Sequence, residues 1–439
     1  MKFALTPLGE VLRHRKGSIT IDDLISYKLC RVQLHRRGVV LRQHLKGAEI
    51  RTKSQQVCRG GDFLIAEMDA KVGGYGFVPA ELDGAIVSSH YFLFEVDETK
   101  LFPPFLEVVS QAEIIQQQIV AKGSTNYASV RPSNVLSWKI PLPDLETQKR
   151  IAHNFSATQA KLAAVGKEIT HQESLLSKLK QAILQEAIEG KLTAGWRAEN
   201  PDVESASELL KRIQTEKARL IAGKKLRAEK PLPPIKAEEV PFEVPEGWVW
   251  ARLGELGYTQ TGTTPDTTVP ANFGTFIPFI KPGDISEHGI DYGGEGLSEL
   301  GLSSGRLIPE NSVMMVCIGS STGKVAVNVC PVSCNQQINA ITFLQGTLPR
   351  SVEVILKSNY FQSTLWAATK TGITPIINKS KWANIAIPLP PLAEQEAIVE
   401  RVEELMESCR ALEEEIERAK EQAGQLLQAV LKEAFAGKC

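Results

Sequence analysis

Two short fragments carry residue types that could do chemistry, and each lacks a residue that the chemistry needs. Phe102-Pro103-Pro104-Phe105 is close to the Asn/Asp-Pro-Pro-aromatic motif of amino-methyltransferases, but Phe102 cannot hydrogen-bond a target amine. Gly319–Lys324 is one residue short of a phosphate-binding P-loop, and Val325 stands where a magnesium-binding Ser or Thr belongs. We therefore predict that neither fragment is catalytic.

The spacing of cysteines and histidines argues against a metal site. Three residues separate Cys330 from Cys334, Cys317 is the only other cysteine nearby, and His288 is the only histidine of the second half. A structural zinc site needs four such ligands. No Ser-His-Asp set or carboxylate pair stands out either. The sequence therefore predicts buried free thiols, no catalytic, cofactor-binding or metal-ligating residue, and a protein that recognises a partner without catalysis.

Length and composition fit a globular protein of two or three domains. The chain has 439 residues, a net charge of −1, 43% hydrophobic and 23% charged residues. The longest apolar runs, such as Val313–Ile318, are too short to span a bilayer, and Met1–Pro7 does not resemble a signal peptide. The seven cysteines show no disulfide-framework spacing. We therefore expect a reduced, cytoplasmic protein.

An internal repeat organises the chain. Residues 140–191 align with residues 387–438 at a constant offset of 247, with 18 identities in 52 ungapped positions. Each copy starts with Ile-Pro-Leu-Pro, which cannot be helix interior, and continues as one long periodic segment. Asp144 is suited to cap the first helix, and Gly190 and Gly437 stand where each helix should end. The repeat therefore predicts two long helices.

Apolar residues in both helices follow a heptad pattern, which predicts a coiled-coil seam. A simple dimerisation coiled coil is an alternative, but an ungapped duplication inside one chain favours pairing of the two copies with each other. The predicted seam consists of Ile151, Phe155, Leu162, Val165, Ile169, Leu176, Leu179 and Ile183 in the first helix, and of Ile398, Val402, Leu405, Cys409, Leu412, Ile416, Leu426 and Val430 in the second.

The segments before the helices predict mixed α/β domains. Leu8-Gly9-Glu10 recurs as Leu253-Gly254-Glu255, and short alternating apolar runs follow in both halves. We predict an α+β chain of two mixed domains and two long antiparallel helices related by a pseudo-two-fold repeat. The predicted boundaries are 1–143 for the first domain, 144–191 for the first helix, 192–246 for a helical and proline-rich linker, 247–390 for the second domain and 391–439 for the second helix.

Charge is unevenly distributed along the chain. Residues 11–59 contain twelve Lys and Arg against three acids, whereas residues 247–390 contain nine of each. Such a basic stretch suits a phosphate backbone, although a solvated basic face would explain it equally well. In the second domain, the case for nucleic-acid binding rests on polar, glycine-rich loops. Residues 391–439 carry twelve acids and six basic residues, so this helix should face solvent or a basic protein partner.

Several of these segments resemble one known family. Pro388-Leu389-Pro390-Pro391-Leu392-Ala393-Glu394-Gln395 followed by a long helix, and Glu246-Gly247-Trp248-Val249-Trp250 followed by Leu253-Gly254-Glu255, resemble the specificity subunit of Type I restriction–modification systems. Thr371-Gly372-Ile373-Thr374 and Asn378-Lys379-Ser380-Lys381-Trp382 are similar to the second domain of that family. The resemblance covers essentially the whole chain, and only the first-domain copy, Asp144–Gln148, is a loose version.

The resemblance implies a role in DNA recognition. Each variable domain would read one half of a bipartite, asymmetric site in double-stranded DNA, and the helices would set the spacing between the halves. The helices would also dock two methyltransferase (M) subunits, which would carry S-adenosylmethionine and the adenine-N6 chemistry. Two restriction (R) subunits using ATP and Mg are further partners that the resemblance allows. The chain itself would hold no cofactor.

Candidate DNA-contacting side chains come from the basic stretch and from the polar loops. The rival hypotheses are a stand-alone coiled-coil scaffold with two ligand-binding domains and an enzyme that modifies DNA by itself. The candidates are Arg31, Arg36, Arg37, Arg42, Lys46 and Arg131 in the first domain, and Thr261, Thr263, Thr264, Lys324, Lys370, Thr371, Asn378 and Lys379 in the second.

Overall fold

The chain forms two compact units, each built from strands and helices. A computed structural model describes residues 3–112, 114–119, 129–344, 346–369 and 374–436. Unit 1 comprises residues 1–171 and 416–439, and unit 2 comprises residues 172–415. The predicted α+β class with two mixed domains and two long antiparallel helices is confirmed. Among the described residues, no helix is long and apolar enough to cross a membrane.

The strands of unit 1 form three sheets. These are the pair β1–β11, an antiparallel sheet in the order β2-β10-β7-β8, and a five-stranded sheet in the order β3-β6-β9-β4-β5. The strands are β1 (Leu5–Pro7), β2 (Leu12–Arg15), β3 (Ser18–Thr20), β4 (Ser26–Val32), β5 (Val39–Lys46), β6 (Ser54–Val57), β7 (Phe63–Ala66), β8 (Tyr75–Phe77), β9 (Ile86–Val87), β10 (Tyr91–Val96) and β11 (Lys139–Pro141).

The strands of unit 2 form four sheets. These are the pair β12–β22, an antiparallel sheet in the order β13-β21-β18-β19, a sheet in the order β17-β14-β20, and the pair β15–β16. The strands are β12 (Val249–Arg252), β13 (Gly257–Thr261), β14 (Phe273–Ile280), β15 (Ile285–Ser286), β16 (Gly289–Ile290), β17 (Gly296–Leu297), β18 (Ser312–Val316), β19 (Val325–Val327), β20 (Ser333–Cys334), β21 (Ile338–Phe343) and β22 (Ala386–Leu389).

Two helices of more than 40 residues stand out among shorter ones. Both begin directly after the proline-rich segment of each repeat, because Pro cannot lie inside a helix. The helices are α1 (Pro103–Gln111), α2 (Pro132–Ser137), α3 (Leu145–Ile188), α4 (Ala194–Glu199), α5 (Ala206–Ala222), α6 (Glu299–Ser304), α7 (Pro349–Lys357), α8 (Asn359–Ala368), α9 (Lys379–Ala383) and α10 (Leu392–Ala436).

The ends of the long helices follow the sequence signals. Asp144 caps α3, because its carboxylate accepts hydrogen bonds from the backbone N–H and the hydroxyl of Thr147 at 2.9 and 2.8 Å. These bonds to the charged form hold the pKa of Asp144 below its usual value. Gly190 ends α3 with a φ of +69°, a left-handed conformation that favours glycine. Gly437 lies outside the described residues.

The structural repeat extends into the segments whose sequences have diverged. The sheet order β2-β10-β7-β8 matches β13-β21-β18-β19 strand for strand, and every pairing in both sheets is antiparallel. The central strands Phe63–Ala66 and Ser312–Val316 are buried along their whole length. Because burial on both faces selects only for apolar residues, many sequences satisfy the same fold. The two variable domains are therefore one fold with different residues.

A glutamine at the start of each long helix holds a neighbouring helix in place. Gln148 is fully buried and accepts a hydrogen bond from the N–H of Phe102 at 2.8 Å, while its amide donates to the carbonyls of Lys100 and Pro143. Phe102-Pro103 is the entry to α1, with Pro in the first turn. The Phe102-Pro103-Pro104-Phe105 fragment therefore has a structural role.

The second copy repeats this arrangement. Gln395, 1% exposed, accepts from the N–H of Leu348 at 2.8 Å and donates to the carbonyl of Pro390 at 3.0 Å. Leu348 precedes Pro349 at the entry to α7, as Phe102 precedes Pro103. The glutamine of the repeated signature is thus a tie between a long helix and the domain before it, since a buried amide must have its hydrogen bonds satisfied.

The neighbouring Glu394 has a role that the sequence did not indicate. Its buried carboxylate accepts from the indole N–H of Trp248 and the hydroxyl of Thr193, each at 2.7 Å, and pairs with the guanidinium of Arg197. Arg197 also donates to the carbonyl of Gly190. The start of α10, the end of α3 and the Gly-Trp segment before β12 therefore meet at one carboxylate.

In unit 1, the end of α10 packs on the start of α3. Leu431 and Phe435 share a hydrophobic core with Ala152 and Phe155, and the ring of Phe435 lies 6.1 Å from that of Phe105. The late part of one helix thus lies beside the early part of the other.

In unit 2, the same two helices pair in the same sense. Ile188 near the end of α3 shares a core with Leu392 at the start of α10. Earlier along α3, the ammonium of Lys180 lies 2.5 Å from the carboxylate of Glu413. Residue numbers therefore rise along α3 while they fall along α10, so the pairing within each unit is antiparallel.

The seam is narrower than the heptad pattern predicted. One heptad position is buried or half-buried throughout, at residues 155, 162, 169, 176 and 183 and at their equivalents 402, 409, 416 and 430. The heptad pattern also predicted burial at a second position of each heptad. That prediction was wrong for four residues, whose side chains are 43–50% exposed. Two paired helices cover only a narrow line, and side chains at the flanking position need a third element to bury them. The four residues are Val165, Leu179, Leu412 and Leu426.

The predicted linker, residues 192–246, is packed on the second domain. Leu209 and Ile213 of α5 lie in the same core as Trp382. The guanidinium of Arg252, 2% exposed, donates to the carbonyls of Pro233 and Pro234 and pairs with Glu239. The segment is extended after α5, as its prolines indicated, but it is not independent, because a buried guanidinium requires these acceptors.

Candidate nucleic-acid interface

The polar loops of the second domain lie at one end of its four-stranded sheet. In an antiparallel sheet, one strand ends where its neighbour begins. The register pairs Thr261 with Asn339, Val316 with Ile338 and Met315 with Val325. β13 and β18 therefore end, and β21 and β19 begin, at the same edge, which brings loops 262–264, 317–324 and 335–337 together.

Hydrogen bonds connect the first of these loops to the third. The hydroxyl of Thr264 donates to the side-chain carbonyl of Gln336 at 2.5 Å, and the N–H of Thr263 donates to the carbonyl of Cys334 at 2.9 Å. Thr261 donates to the side chain of Asn339 at 2.7 Å. The three threonines are half-buried. Their backbones are held in place, which is what a surface that reads a rigid ligand needs.

The loop after β18 contacts the segment before α9. The N–H of Gly319 donates to the carbonyl of Pro375, and the N–H of Ile377 donates to the carbonyl of Cys317, both at 3.0 Å. Lys324, in the same loop, is exposed. Asn378 is also exposed and caps α9 by accepting from the backbone of residue 381. Lys324 and Asn378 therefore share this end of the sheet, while Lys370 and Thr371 lie outside the described residues.

The equivalent end of the unit 1 sheet carries Arg131. The N–H of Val130 donates to the carbonyl of Glu67 at 3.0 Å, directly after β7, as Ile377 donates to Cys317 directly after β18. Arg131 occupies the N-cap position of α2, where its N–H donates to the side chain of Asn134 at 2.8 Å, and at the repeat offset of 247 it corresponds to Asn378, whose side chain caps α9. Two candidate residues with different chemistry thus hold equivalent positions in the two domains.

Arg131 belongs to a small charged cluster. Its guanidinium lies 3.4 Å from the carboxylate of Glu67, which also contacts the ring of His90 at 2.9 Å and the hydroxyl of Ser129 at 3.1 Å. The hydrogen bond with His90, together with Ser129 and Arg131, holds the pKa of Glu67 below its usual value. Glu67 therefore stays ionised at neutral pH and offsets part of the Arg131 charge, although Arg131 itself remains exposed.

The middle of the basic stretch of the first domain forms the β4–β5 hairpin, residues 26–46. β5 is the edge strand of the five-stranded sheet, and Arg31, Arg42 and Lys46 are exposed on the two strands. An edge strand with charged side chains avoids pairing with another sheet and leaves those charges available to a ligand. The hairpin thus brings together three of the predicted arginine and lysine residues.

The tip of this hairpin docks on the end of the sheet. His35 and Arg36 have φ values of +59° and +62°, and their N–H groups donate to the carbonyls of Val72 and Gly73 at 2.8 and 2.9 Å. Residues 67–74 follow β7, so the tip lies at the same end as Arg131. The exposed Arg37 is the next residue along.

Arg36 differs from the other arginines of the hairpin. It is half-buried, and its guanidinium donates to the side chain of Gln116 at 2.9 Å, while its carbonyl accepts from Gln111. Its left-handed backbone is held by these contacts. The structure therefore gives Arg36 a part in fixing the tip, which the sequence could not distinguish from a role in ligand contact.

Lys379 is also engaged within the protein. Its ammonium lies 2.8 Å from the carboxylate of Glu229 and 3.1 Å from the carbonyl of Thr259. Burial raises the pKa of Glu229, but the ion pairs with Lys379 and Lys217 outweigh it and leave the pKa below its usual value. The pair therefore stays charged at neutral pH and ties α9 to the segment after α5.

Sequence reasoning missed other polar side chains at the same edge. Gln336 is exposed and Gln337 half-buried in the loop between β20 and β21, and Gln337 donates to the carbonyl of Ile318 at 3.3 Å. Their amides carry both donors and acceptors, the pattern that pairs with an adenine edge. In unit 1, His90 occupies the loop before β10. The sequence signal that could have identified this loop is the pair of adjacent glutamines, Gln336 and Gln337, between two apolar strands.

The described residues show no obvious catalytic centre. They contain no group of three or more His, Cys, Asp or Glu side chains placed to hold a metal ion. Cys317 and Cys334 are buried in apolar surroundings, which raise the pKa of each thiol to about 12, and Cys330 is half-buried. Cys30 and Cys58 are buried 3.7 Å apart. Cys317 and Cys334 are thus neutral packing groups.

The duplicated architecture and the paired loop surfaces define a protein that belongs to the family of the Type I restriction modification DNA specificity domain, which matches residues 9–171 and 245–421. Among its relatives is the Type I restriction enzyme EcoAI specificity subunit of Escherichia coli, 28% identical over 64% of this chain and 47% of that protein. Another is the HindI specificity subunit of Haemophilus influenzae, 25% identical over 66% of this chain and 68% of its own length. The chain thus spans about half the length of the EcoAI relative.

Solved structures show the same fold. The specificity subunit from Thermoanaerobacter tengcongensis aligns over 100% of this chain and 97% of its own, with a TM-score of 0.59 and 19% identity. A chain from work on complex assembly and conformational transition of the type I R-M system aligns over 99% and 97%, with a TM-score of 0.69 and 20% identity. At such identities the likeness concerns architecture, and the residues at the loop surfaces are this chain's own.

Proposed function

We propose that this chain is the DNA sequence-specificity subunit of a Type I restriction–modification complex. Each domain reads one half of a bipartite, asymmetric site in double-stranded DNA. The observation that carries this is the equivalence of Arg131 and Asn378 at matching ends of the same sheet. Two domains with the same fold but different side chains at this position suit two half-sites of different sequence, because base edges are distinguished by their patterns of hydrogen-bond donors and acceptors.

The loops and the hairpin divide the work between reading and positioning. The exposed Arg31, Arg37, Arg42 and Lys46 of the hairpin suit phosphate contacts, which fix orientation without reading sequence. Threonine, asparagine and glutamine side chains at the sheet ends suit base edges. Arg36 and Lys379 act mainly by fixing their loops, since both are already bound to protein acceptors.

The long helices supply the second part of the proposal. They set the spacing between the half-sites and dock two methyltransferase subunits. Val165 corresponds to Leu412 in the repeat, and Leu179 corresponds to Leu426; all four are exposed. Because the same apolar positions are exposed in both copies, the chain offers two similar surfaces, which suit two copies of one partner.

The bond-making steps belong to the partners in this proposal. The methyltransferase subunits bind S-adenosylmethionine and methylate adenine N6, and restriction subunits, where present, use ATP and Mg. This chain is then non-catalytic and needs no cofactor of its own. A role on genomic DNA places it in the cytoplasm.

The first experiment tests the half-site assignment. Methylome sequencing of the host with and without the gene identifies the bipartite motif, and the same mapping is repeated with Arg131→Ala and with Asn378→Asp. Asn378→Asp keeps the capping oxygen of α9 and removes the amide donor. Each variant should weaken or relax one half of the motif, and not the same half.

Two outcomes would contradict the assignment: a motif that is continuous, or two variants that alter the same half. Loss of all methylation by both variants would point to assembly and count against a reading role. Lys161→Ala, an exposed residue of α3, serves as the control and should leave the motif unchanged.

The second experiment tests the spacing role of the helices. Four residues inserted after Leu176 and four after Glu417 lengthen both helices and keep Lys180 opposite Glu413. The insertion adds about 6 Å of helix, which corresponds to about two base pairs of duplex. The mapped motif should gain spacer and keep the letters of both halves. Altered letters with an unchanged spacer would refute the spacing role.

A further inference from the structure

A large groove lies along the edge strand β13 of unit 2, outside the loops described above. Its volume is about 1490 Å³. One wall is formed by the end of α5 and the segment that follows it, residues 214–233, and the other by residues 258–260 and 379–384 together with Arg306. The groove exists only because the predicted linker folds back onto the second domain.

The side chains that line this groove are mostly basic. The second domain by itself is balanced in charge, with nine basic and nine acidic residues between positions 247 and 390. Among the described residues that line the groove, the acidic ones are Glu229 and Glu255. Its basic side chains are Lys217, Lys225, Arg227, Lys230, Arg306, Lys379 and Lys381.

Some of these cations are neutralised within the protein, and others are not. Glu229 lies between Lys217 at 3.4 Å and Lys379 at 2.8 Å, so one carboxylate serves two ammonium groups. Four other basic residues that line the groove are exposed and form no ion pair with any residue that the structure describes; they are Lys225, Arg227, Lys230 and Arg306.

The groove is continuous with the candidate interface. Thr259 lines the groove, and Thr261, two residues further along β13, lies at the end of the sheet with the polar loops. Lys379, which directly follows the cap residue Asn378, lines the groove as well. A duplex that reaches the polar loops has its backbone within the field of the unpaired cations.

We propose that this groove binds the phosphate backbone of double-stranded DNA, as a contact that is independent of sequence and is carried by the segment after α5. The proposal rests on the proposed function, because the duplex is brought there by the reading loops. Long, mobile lysine and arginine side chains around an open groove suit a run of phosphates, since each neutralised phosphate releases counterions whichever bases are present. The segment 223–231 therefore joins the second domain in holding DNA.

The test compares two double variants with equal loss of charge. Lys225→Ala/Lys230→Ala removes two unpaired cations of the groove. Lys211→Ala/Lys236→Ala removes two exposed lysines of the same region that do not line it. Each full chain is purified with its methyltransferase subunit, and binding to a fluorescent 40-base-pair duplex of random sequence and to one that contains the mapped motif is measured over a range of salt concentrations.

The groove variant should bind both duplexes more weakly, by roughly 10- to 60-fold at 0.1 M salt, and its slope of log K against log salt should fall by about 1.8. The preference for the motif over random sequence should stay within twofold of wild type, and the control variant should match wild type. If the groove variant still prefers the motif but its slope of log K against log salt is the same as that of wild type, the groove proposal is refuted and the proposed function stands. A wild-type complex that shows no motif preference overturns both.

A second measurement does not depend on variants. Acetylation of lysines in the wild-type complex, followed by mass spectrometry, reports which ammonium groups a duplex covers. Lys225 and Lys230 should react at least threefold more slowly when the duplex is bound, and Lys236 should react equally in both states. Equal protection by tripolyphosphate would identify a small-anion site instead, and no protection by either would refute the proposal.

Discussion

The repeated glutamine offers the sharpest test of how the duplicated fold is held together. Replacing Gln148 by Ala removes three hydrogen bonds, to the N–H of Phe102 and to the carbonyls of Lys100 and Pro143. Replacing Gln395 by Ala removes two, to Leu348 and Pro390. In both variants the backbone groups lose their partner inside a packed region.

The magnitude follows from the number of groups left without a partner. Each costs about 1 kcal/mol here, at the low end of the usual range, because four of the five hydrogen bonds are only partly buried. Gln148→Ala should therefore lower the free energy of unfolding by about 3 kcal/mol and Gln395→Ala by about 2 kcal/mol. In domains of this size the first value corresponds to a fall in melting temperature of roughly 6–12 °C.

Hydrogen exchange followed by mass spectrometry locates the effect. Gln148→Ala should accelerate exchange of the Phe102 amide and leave that of Leu348 unchanged, and Gln395→Ala should do the reverse. Gln159→Ala, at an exposed position of α3, is the control and should change neither. If Gln148→Ala melted within 1 °C of wild type, or if both amides responded to either variant, the argument that each glutamine is a separate local tie would be refuted.

Three further predictions concern buried charges and thiols. Glu394→Gln should destabilise the chain by about 2–3 kcal/mol, because Arg197, Trp248 and Thr193 lose a charged acceptor. Urea unfolding measures this effect, with Glu396→Gln, an exposed neighbour, as the control. Equal unfolding midpoints for the two variants would contradict the prediction. The ion pair with Arg252 lowers the pKa of Glu239, so its stabilisation is present at neutral pH and is lost as the pH falls below the usual carboxyl range near ~4. Glu239→Gln should therefore melt below wild type at pH 7, and the difference should shrink under acid conditions; a difference that grows with acid would show the opposite sign. At pH 8, iodoacetamide should modify Cys330 well before Cys317 and Cys334, because burial raises the pKa of the latter two to about 12; rapid labelling of either buried thiol in the native protein would disprove this.

The sequence was sufficient for features that depend on local chemistry. Asp144 caps α3 and Gly190 ends it, because capping and left-handed backbone involve only near neighbours in the chain. The heptad period predicted the two long helices. It wrongly predicted that Val165 and Leu412 are buried in the seam, since a periodic pattern identifies the apolar face of a helix but not how many elements cover that face.

Residues with long-range partners could not be interpreted from the sequence. In the sequence, Glu394 was only one residue of the repeated proline-rich signature, but its carboxylate contacts Trp248, 146 positions away, and Arg197, 197 positions away. Arg36 and Arg37 looked alike as neighbours in a basic stretch, and only the docked hairpin tip separates the tethered residue from the exposed one. The assignment of individual side chains to DNA stays a prediction.

The amino-acid sequence alone determined that the chain is a duplication with two long helices, because identities at a fixed offset survive wherever helix ends and buried polar groups tolerate few substitutions. Only the tertiary structure decided that the two diverged segments each form a sheet of the same strand order, and that Arg131 and Asn378 hold equivalent positions beside their own sheets. The physical reason is that a buried strand requires apolar residues but not particular ones, so the sheet persists after its sequence signal is lost. The basic groove likewise required the fold, because its lining includes residues as distant along the chain as Glu229 and Lys379, which are 150 positions apart.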